Sequence, residues 1–257
     1  MPHSNPSLRR RTILITGASS GIGAGLARRY ASAGHDLALC ARSVDKLETL
    51  KTELLADNPT IRVEIRALNV DDAEAVSNTF EDLDQKLDGL DRVIVNAGLG
   101  SNGAIGQGHR DANIAIARTN FVGALAQIDA ALAIMRRRGK GHLVLISSVA
   151  AIRALPGASA TYSATKVGLA SLGESLATEY SDTTIKISTI FPGYIRTPLN
   201  AHKGKLPFEV DEATGVKAIM AAIDKETTKA FAPNWPWWLV AHYLRHLPAS
   251  VLKRRFA

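Results

Sequence analysis

The sequence contains little cysteine and no long uncharged apolar run. Its 257 residues include a single cysteine, Cys40, so a disulfide framework is excluded and a reducing compartment, the cytoplasm, is expected. No apolar run reaches the roughly 20 residues that a membrane-spanning helix needs. The polar, proline-containing start of the chain lacks the apolar core of a secretion signal. With 46% hydrophobic residues, the chain can instead bury a large core without covalent cross-links.

Acidic residues are outnumbered, with 24 Asp and Glu against 31 Lys and Arg, which gives a formal net charge of +7. Basic residues cluster at 9–11, 136–138 and 253–255, and such clusters suit nucleic acid or anionic lipid. However, no nucleic-acid motif and no interleaved aromatic pattern accompanies them. We therefore expect no nucleic-acid partner and no metal site, and interpret most of the clusters as solvated surface.

A short, continuously apolar and β-branched segment at 12–16 predicts a first strand that is covered on both faces. A glycine-rich turn follows it and leads into a helical pattern. Strand, glycine turn and helix together present backbone N–H groups to a pyrophosphate; the alternative is a tight turn without a ligand. The predicted contacts are Gly17, Ser19, Ser20, Gly21, Ile22 and Gly23.

The second predicted strand, 34–41, lacks an acidic residue at its end and is followed by Arg42 and Ser43. An acidic side chain at this place would bind the ribose of NAD, whereas an arginine accommodates the 2′-phosphate of NADP. Guanidinium suits phosphate because it forms paired hydrogen bonds. This favours NADP(H) over NAD(H); the alternative is that Arg42 is a solvated residue at a helix start.

Strand and helix patterns alternate along the rest of the chain, with further strands near 61–68, 92–95, 142–146, 186–191 and 229–232. This predicts a single-domain α/β Rossmann fold, a doubly wound parallel sheet of about seven strands flanked by helices. The expected divisions are a flexible arm at 1–10, a catalytic domain at 11–233 and a tail at 234–257. Ligands of such sheets bind beyond the carboxyl ends of the strands.

Tyr162 and Lys166 lie four residues apart, so on a helix they share one face. A lysine ammonium beside a phenol favours the phenolate and lowers the pKa of the tyrosine. Such a phenol could exchange a proton with an alcohol or a carbonyl. Alone, the spacing could equally belong to an ordinary amphipathic helix.

Further motifs follow in order along the chain: Asn96-Ala97-Gly98, Asn120, Ser148, Tyr162 with Lys166, and Pro192-Gly193 followed by Thr197. Together with the glycine turn, they resemble the motifs of the short-chain dehydrogenase/reductase family, and the match covers Arg11 to about Leu199. The resemblance implies that Tyr162 is the general acid or base, and that Ser148 binds the substrate oxygen. Lys166 would lower the Tyr162 pKa and hold the nicotinamide ribose. Asn120, through a helix irregularity and a bound water, would extend a proton relay.

The resemblance also implies the remaining cofactor contacts. Asn69 and Val70 would lie on the adenine, and Asn96 with Ala97 and Gly98 beside the adenine ribose. After the sixth strand, Pro192 and Gly193 would be followed by Ile195 and Thr197, which hold the carboxamide.

Two positions depart from the family pattern. Asn69 stands where Asp is frequent, so it keeps an acceptor oxygen and loses the charge. The interval from Ser148 to Tyr162 is one residue longer than usual, which leaves Ser147 as an alternative to Ser148.

All three tryptophans lie in the tail, at Trp235, Trp237 and Trp238. Tryptophan beside apolar residues and a basic end suits an interfacial helix on an anionic membrane. The alternative, which we favour, is a helix buried against its own domain or at a subunit interface. Before the tail, the resemblance implies a flap over the substrate, in which His202 either contacts the substrate or lies exposed.

The sequence thus predicts an NADP(H)-dependent oxidoreductase that interconverts a secondary alcohol and a ketone or aldehyde, on an apolar or lipid-like substrate. We expect a homodimer or homotetramer in the cytoplasm, with peripheral membrane contact through the tail as a further option. The alternatives are a catalytically idle, nucleotide-sensing protein and a membrane-recruited binding protein on the same fold.

Overall fold

The computed structural model describes residues 10–100, 103–199, 204, 206–248 and 250–252. The predicted role of His202 and most of the N-terminal arm therefore lie outside the described residues. Arg10, the last residue of the predicted flexible arm, is buried, and its Nε donates to Glu226 Oε1 at 2.9 Å. Arg10 thus contacts the folded domain, and the division of the chain at residue 10 stays a prediction.

Strands and helices alternate along the described chain. The strands are β1 Thr12–Thr16, β2 Asp36–Ala41, β3 Val63–Ala67, β4 Arg92–Val95, β5 Gly141–Ile146, β6 Ile185–Pro192 and β7 Lys229–Ala232. The helices are α1 Gly21–Ser32, α2 Val44–Asp57, α3 Ala73–Lys86, α4 Arg110–Ala117, α5 Gly123–Arg138, α6 Ala160–Glu179, α7 Glu212–Asp224 and α8 Trp237–His246. The seven strands form one sheet of order β3-β2-β1-β4-β5-β6-β7, and all of its pairings are parallel. The predicted doubly wound Rossmann fold is confirmed.

The sheet is covered on both faces. Ile13 and Ile15 of β1 belong to one buried apolar cluster, whereas Leu14 between them belongs to a second. Successive side chains of a strand point to opposite faces, so the two clusters are two cores separated by the sheet. This explains why the strands are continuous apolar runs rather than alternating ones.

Two aspartates begin helices, as their positions in the sequence indicate. Asp72 accepts a hydrogen bond at 3.0 Å from the Ala75 N–H, and Asp211 accepts one at 2.8 Å from the Thr214 N–H. These N-caps satisfy donors that the first turn of a helix leaves without an intrahelical partner.

The helical segment between β4 and β5 is interrupted. A π-helical turn at Arg118–Val122 separates α4 from α5, and the buried Asn120 lies within it. Single π-turns inside helices are frequent at functional sites. The family resemblance implies a helix irregularity at Asn120, and the π-helical turn is such an irregularity.

The tail forms α8, which buries one face against the rest of the chain. Trp237 and Ala241 are buried on the inner side, whereas Trp238 and Tyr243 on the outer side are 49% and 64% exposed. Within the described ranges, we find no helix long and apolar enough to cross a bilayer. The tail is thus in part a helix packed on its own domain.

Candidate active site

A cleft of about 700 Å³ opens at the carboxyl ends of the strands, a size typical of ligand sites. It brings together most of the residues that the sequence predicts. Those that line it are Gly17, Ser19, Ser20, Gly21, Ile22, Arg42, Ser43, Asn69, Val70, Asn96, Ala97, Gly98, Ser148, Tyr162, Lys166, Pro192, Gly193, Ile195 and Thr197. Gly23 and Asn120 do not line the cleft, but they contact the lining residues Gly17 and Leu99, respectively.

The glycine turn between β1 and α1 is shaped by backbone conformation and close packing. Gly17 and Gly21 have φ of +63° and +52°, which L-residues rarely adopt. At Gly23, a Cβ would collide with the Gly17 carbonyl oxygen. Ser20 makes no side-chain capping bond at the start of α1, so the first N–H groups of this helix remain available to an anionic ligand.

A second anion-binding arrangement lies at the end of β2. Arg42 is exposed at the cleft, and within the described part of the chain its side chain has no hydrogen-bond or ion-pair partner. Ser43 begins α2 and likewise makes no side-chain capping bond. A free guanidinium beside an uncapped helix start fits a phosphate group.

Asn96 connects the ends of β4 and β1. Its Nδ2 donates to the Thr16 carbonyl at 2.8 Å, and its backbone N–H donates to Thr16 Oγ1 at 3.0 Å. Thr16 Oγ1 also accepts from the Ala97 N–H at 3.1 Å. Thr16 was not among the predicted site residues, because a threonine ending a β-branched strand gives no sign of these contacts.

Ser148 and Tyr162 lie together in the cleft. Ser148 Oγ accepts a hydrogen bond from the Ala150 N–H at 3.1 Å, which leaves its proton available. Ser147, in contrast, is buried and donates to the Lys166 carbonyl at 2.9 Å. The geometry therefore favours Ser148 as the hydroxyl that meets a ligand.

The phenol of Tyr162 has a pKa above its ordinary value. Burial raises this pKa, while hydrogen bonding to the Ser148 hydroxyl lowers it less, and the nearby Tyr194 adds to the rise. The rise follows chiefly from burial, and the lowering by Lys166 that the family resemblance implies stays a prediction.

Lys166 is itself buried, and its Nζ donates to the Ile146 carbonyl at 2.8 Å. Burial lowers the pKa of Lys166 to about 8. The Nζ atom lies 5.8 Å from the centre of the Tyr162 ring. The predicted face shared by Tyr162 and Lys166 therefore exists, with the ammonium directed at the end of β5.

Asn120 ties the π-turn to two neighbouring segments. Its Oδ1 accepts from the Leu99 N–H at 2.7 Å, and its Nδ2 donates to the Leu99 carbonyl at 2.9 Å. Nδ2 also lies 3.5 Å from Thr165 Oγ1, and this hydroxyl donates to the Tyr162 carbonyl at 2.7 Å. Asn120 thus fixes the segment after β4 and the backbone of α6 relative to each other.

The part of the cleft beyond Tyr162 is apolar, and α8 forms one side of it. Trp237 packs edge-on against Tyr194 and Phe208, with ring centroids 5.1 and 6.1 Å apart. The Trp237 indole occupies the space that a Cβ would need at Gly193. These contacts were not predicted from the sequence, although the helical spacing of apolar residues in the tail indicates a helix with one buried face.

Metal ligands are not gathered in this cleft. Across the residues that the structure describes, no group of three or more His, Cys, Asp or Glu side chains is placed to hold a metal ion. The polar groups of the cleft are hydroxyl, amide, ammonium and guanidinium groups.

Comparison with known proteins gives one family. The sequence model of the short chain dehydrogenase family matches residues 11–206. An uncharacterized oxidoreductase of Mycobacterium tuberculosis is 48% identical over 248 residues, which cover 96% of this chain and 98% of that protein.

Two solved structures are similar to this chain in fold. An alcohol dehydrogenase from the archaeon Thermococcus sibiricus, complexed with 5-hydroxy-NADP, is 26% identical at a TM-score of 0.76, covering 86% of this chain and 95% of that one. A short chain dehydrogenase/reductase from Burkholderia phymatum, in complex with NAD, has a TM-score of 0.81 over 97% of this chain and 96% of that one. At 18% identity, the second similarity shows the fold alone. The chain belongs to the short-chain dehydrogenase/reductase family of oxidoreductases.

Proposed function

We propose that the protein is an NADP(H)-dependent oxidoreductase that interconverts a secondary alcohol and a ketone or aldehyde. The observation that carries this proposal is the arrangement of one cleft. Tyr162, Ser148 and Lys166 lie in it together with the uncapped start of α1 and the free Arg42 guanidinium. Such a cleft has anion-binding groups for a dinucleotide and a proton donor for a carbonyl oxygen.

The described residues fit a nicotinamide dinucleotide. The start of α1 with Gly17, Ser19, Ser20, Gly21 and Ile22 would hold the pyrophosphate. Asn69 and Val70 would contact the adenine, and Asn96, Ala97 and Gly98 would border the adenine ribose. Pro192, Gly193, Ile195 and Thr197 would border the nicotinamide. The cofactor supplies the hydride, and the protein supplies position and electrostatics.

The proton would belong to Tyr162. Because burial raises its pKa, the phenol is protonated at neutral pH and can donate to a carbonyl oxygen during reduction. The Ser148 hydroxyl would donate a second hydrogen bond to the same oxygen and stabilise the charge that develops there. Lys166 would hold the nicotinamide ribose, and Asn120 would keep α6 in place and continue the proton route.

The choice of NADP(H) rests on Arg42 and Ser43. The free guanidinium and the uncapped start of α2 suit the 2′-phosphate that distinguishes NADP from NAD. The alcohol dehydrogenase of Thermococcus sibiricus was solved with an NADP derivative, whereas the Burkholderia phymatum protein was solved with NAD. The chemistry of Arg42 therefore carries this choice.

The test is NADPH consumption over a panel of apolar ketones and aldehydes, with the wild type and with Tyr162→Phe. We expect the variant to lose turnover by at least about a thousandfold, within the range that general acid catalysis and preorganised electrostatics supply together, while NADPH binding stays nearly unchanged. Normal turnover by the variant would refute Tyr162 as the acid. A wild type that binds NADPH and consumes none with any carbonyl would favour the idle, nucleotide-sensing alternative.

Homodimer or homotetramer formation and a cytoplasmic location complete the proposal, with peripheral membrane contact through 234–257 as the alternative role of the tail. The exposed Trp235, Trp238 and Tyr243 are the candidate contact residues of the tail. Light scattering of the purified protein tests the assembly. Co-sedimentation with anionic vesicles, compared between the wild type and a variant with Trp235→Ser and Trp238→Ser, tests the membrane contact.

A further inference from the structure

The inner face of α8 is part of the cleft that contains Tyr162. Trp237, Val240 and Leu244 line the cleft at helical spacing, and Leu247 continues this line just beyond the helix. These positions share one side of a helix. The outer side of α8 instead exposes Trp238 and Tyr243.

The helix is held at both of its ends. At the first turn, Trp237 is 3% exposed and packs against Tyr194 and Phe208. Beyond the last turn, Arg153 Nη2 donates to the Leu247 carbonyl at 3.3 Å. Arg153 belongs to the loop between β5 and α6, so the bond joins the tail to the segment that leads from Ser148 to Tyr162.

Apolar side chains from other segments also line the cleft. They include Leu99, Leu155 and Leu206. Among the described lining residues, the charged side chains are Arg42 and Lys166, which belong to the proposed cofactor side. Such a space suits an uncharged, apolar molecule, because no charged group has to give up its hydrating water when the molecule binds.

We infer that α8 is the wall that determines substrate specificity. The substrate is an uncharged ketone or secondary alcohol with an apolar chain that extends from Tyr162 past Trp237 and Val240 towards Leu244 and Leu247. Leu244 limits the length of that chain. The inference rests on the proposed function for the reacting end, and adds the class of molecule attached to it.

The test uses acetophenone and octanophenone, which share the reacting carbonyl and differ in chain length. Dissociation constants are measured by calorimetry with NADP⁺ present, so that no reduction can occur. In the wild type, octanophenone should bind at least about tenfold more tightly, since each methylene that leaves water contributes to affinity.

Leu244→Trp fills the far end of the cleft, and Tyr243→Trp places the same side chain on the exposed side of the same helix. We expect Leu244→Trp to weaken octanophenone binding by about tenfold or more and to leave acetophenone within about twofold of the wild type. Tyr243→Trp should change neither constant. A loss shared equally by both ketones in Leu244→Trp, or no loss at all, would overturn the inference.

A second variant, Leu244→Ala, shortens the side chain at the far end of the cleft and adds no bulk. It provides the test if Leu244→Trp does not fold. It should weaken octanophenone by about threefold and leave acetophenone unchanged; an equal effect on both would contradict the wall. Wild-type protein that binds neither ketone would refute the substrate class. NADPH consumption is followed in parallel, so that a failure of the proposed chemistry appears as binding without turnover.

Discussion

At the scale of single residues, the cleft contains two cations in different environments. Arg42 is exposed and has no partner within the described chain, so its charge is available to a ligand. Lys166 is buried and bonded to the Ile146 carbonyl, so its charge is costly and its pKa falls to about 8. The first cation is suited to recognition and the second to a proton equilibrium near working pH.

Replacing Arg42 should change the choice of cofactor. In Arg42→Asp, a carboxylate would repel the 2′-phosphate of NADPH and could accept a hydrogen bond from the ribose of NADH. We expect the ratio of kcat/KM for NADPH to that for NADH to fall by about a hundredfold or more, which corresponds to the loss of a charge-assisted contact and the gain of repulsion. Arg136→Asp, at an exposed arginine in the last turn of α5, is the matched control and should leave the ratio unchanged.

The pKa of Lys166 should appear in the pH dependence of activity. Because burial lowers it to about 8, the ammonium is lost as pH rises through that value, and with it the group that would hold the nicotinamide ribose. We expect kcat/KM for NADPH to decline above pH about 8. Lys166→Arg should shift this decline to higher pH, since guanidinium stays protonated; a variant that keeps the wild-type midpoint would assign it to another group.

At the scale of elements, the position of α8 depends on the end of β6. The Trp237 indole occupies the space beside Gly193 that a Cβ would need. Any side chain at Gly193 must therefore displace the Trp237 indole, which lines the cleft at the first turn of α8. Gly193 therefore also has a packing role, because it leaves room for the Trp237 indole.

We expect Gly193→Ala to destabilise the protein by about 1–3 kcal/mol, the usual cost of overpacking. In a Trp237→Ala background the obstacle is gone, so the same substitution should cost much less, and the two effects should be non-additive. Urea unfolding of the four proteins in this cycle measures the coupling. Additive losses would show that the strain lies in the backbone of Gly193 and not in its contact with Trp237.

At the scale of the whole molecule, a buried polar network lies at the amino ends of the strands, away from the cleft at their carboxyl ends. Arg92 Nε donates to His142 Nδ1 at 2.9 Å, and His142 Nε2 lies 2.9 Å from Ser188 Oγ. Arg92 Nη1 donates to Asp224 at 2.7 Å. An acceptor at Nδ1 requires a neutral imidazole, and burial first, then the charges of Arg92 and Arg10, hold the pKa of His142 well below its ordinary value.

This network should make stability depend on pH. Below pH about 6.5, the ordinary histidine pKa, His142 is protonated in the unfolded state but stays neutral in the native state. The free energy of unfolding should therefore fall as pH drops through that value. His35, whose pKa burial also lowers, adds to the same slope.

His142→Gln removes the titrating group and should flatten the slope of unfolding free energy against pH between about 6.5 and 5, even if the variant is less stable throughout. Urea unfolding at several pH values gives the slope. His109→Gln, at an exposed position, is the control and should keep the wild-type slope. An unchanged slope in His142→Gln would contradict a buried neutral imidazole.

The features that the sequence determined are local in the chain. The glycine turn after β1, Arg42 after β2 and the spacing of Tyr162 and Lys166 each lie within a few residues, so backbone geometry alone positions them. Parallel strands then bring their carboxyl ends to one edge. For that reason the fold and most of the residues lining the cleft could be predicted without coordinates.

Tertiary structure decided what depends on distant residues. The π-turn at Asn120 is fixed by Leu99, and the obstruction beside Gly193 comes from Trp237. The pKa of Tyr162 is raised by burial, which depends on segments far along the chain and cannot be read from the spacing of Tyr162 and Lys166. The sequence alone determined the alternation of strands and helices, the glycine turn after β1 and a tyrosine–lysine face. Only the packed molecule made the tail a wall of the cleft, because burial and contact depend on every element at once.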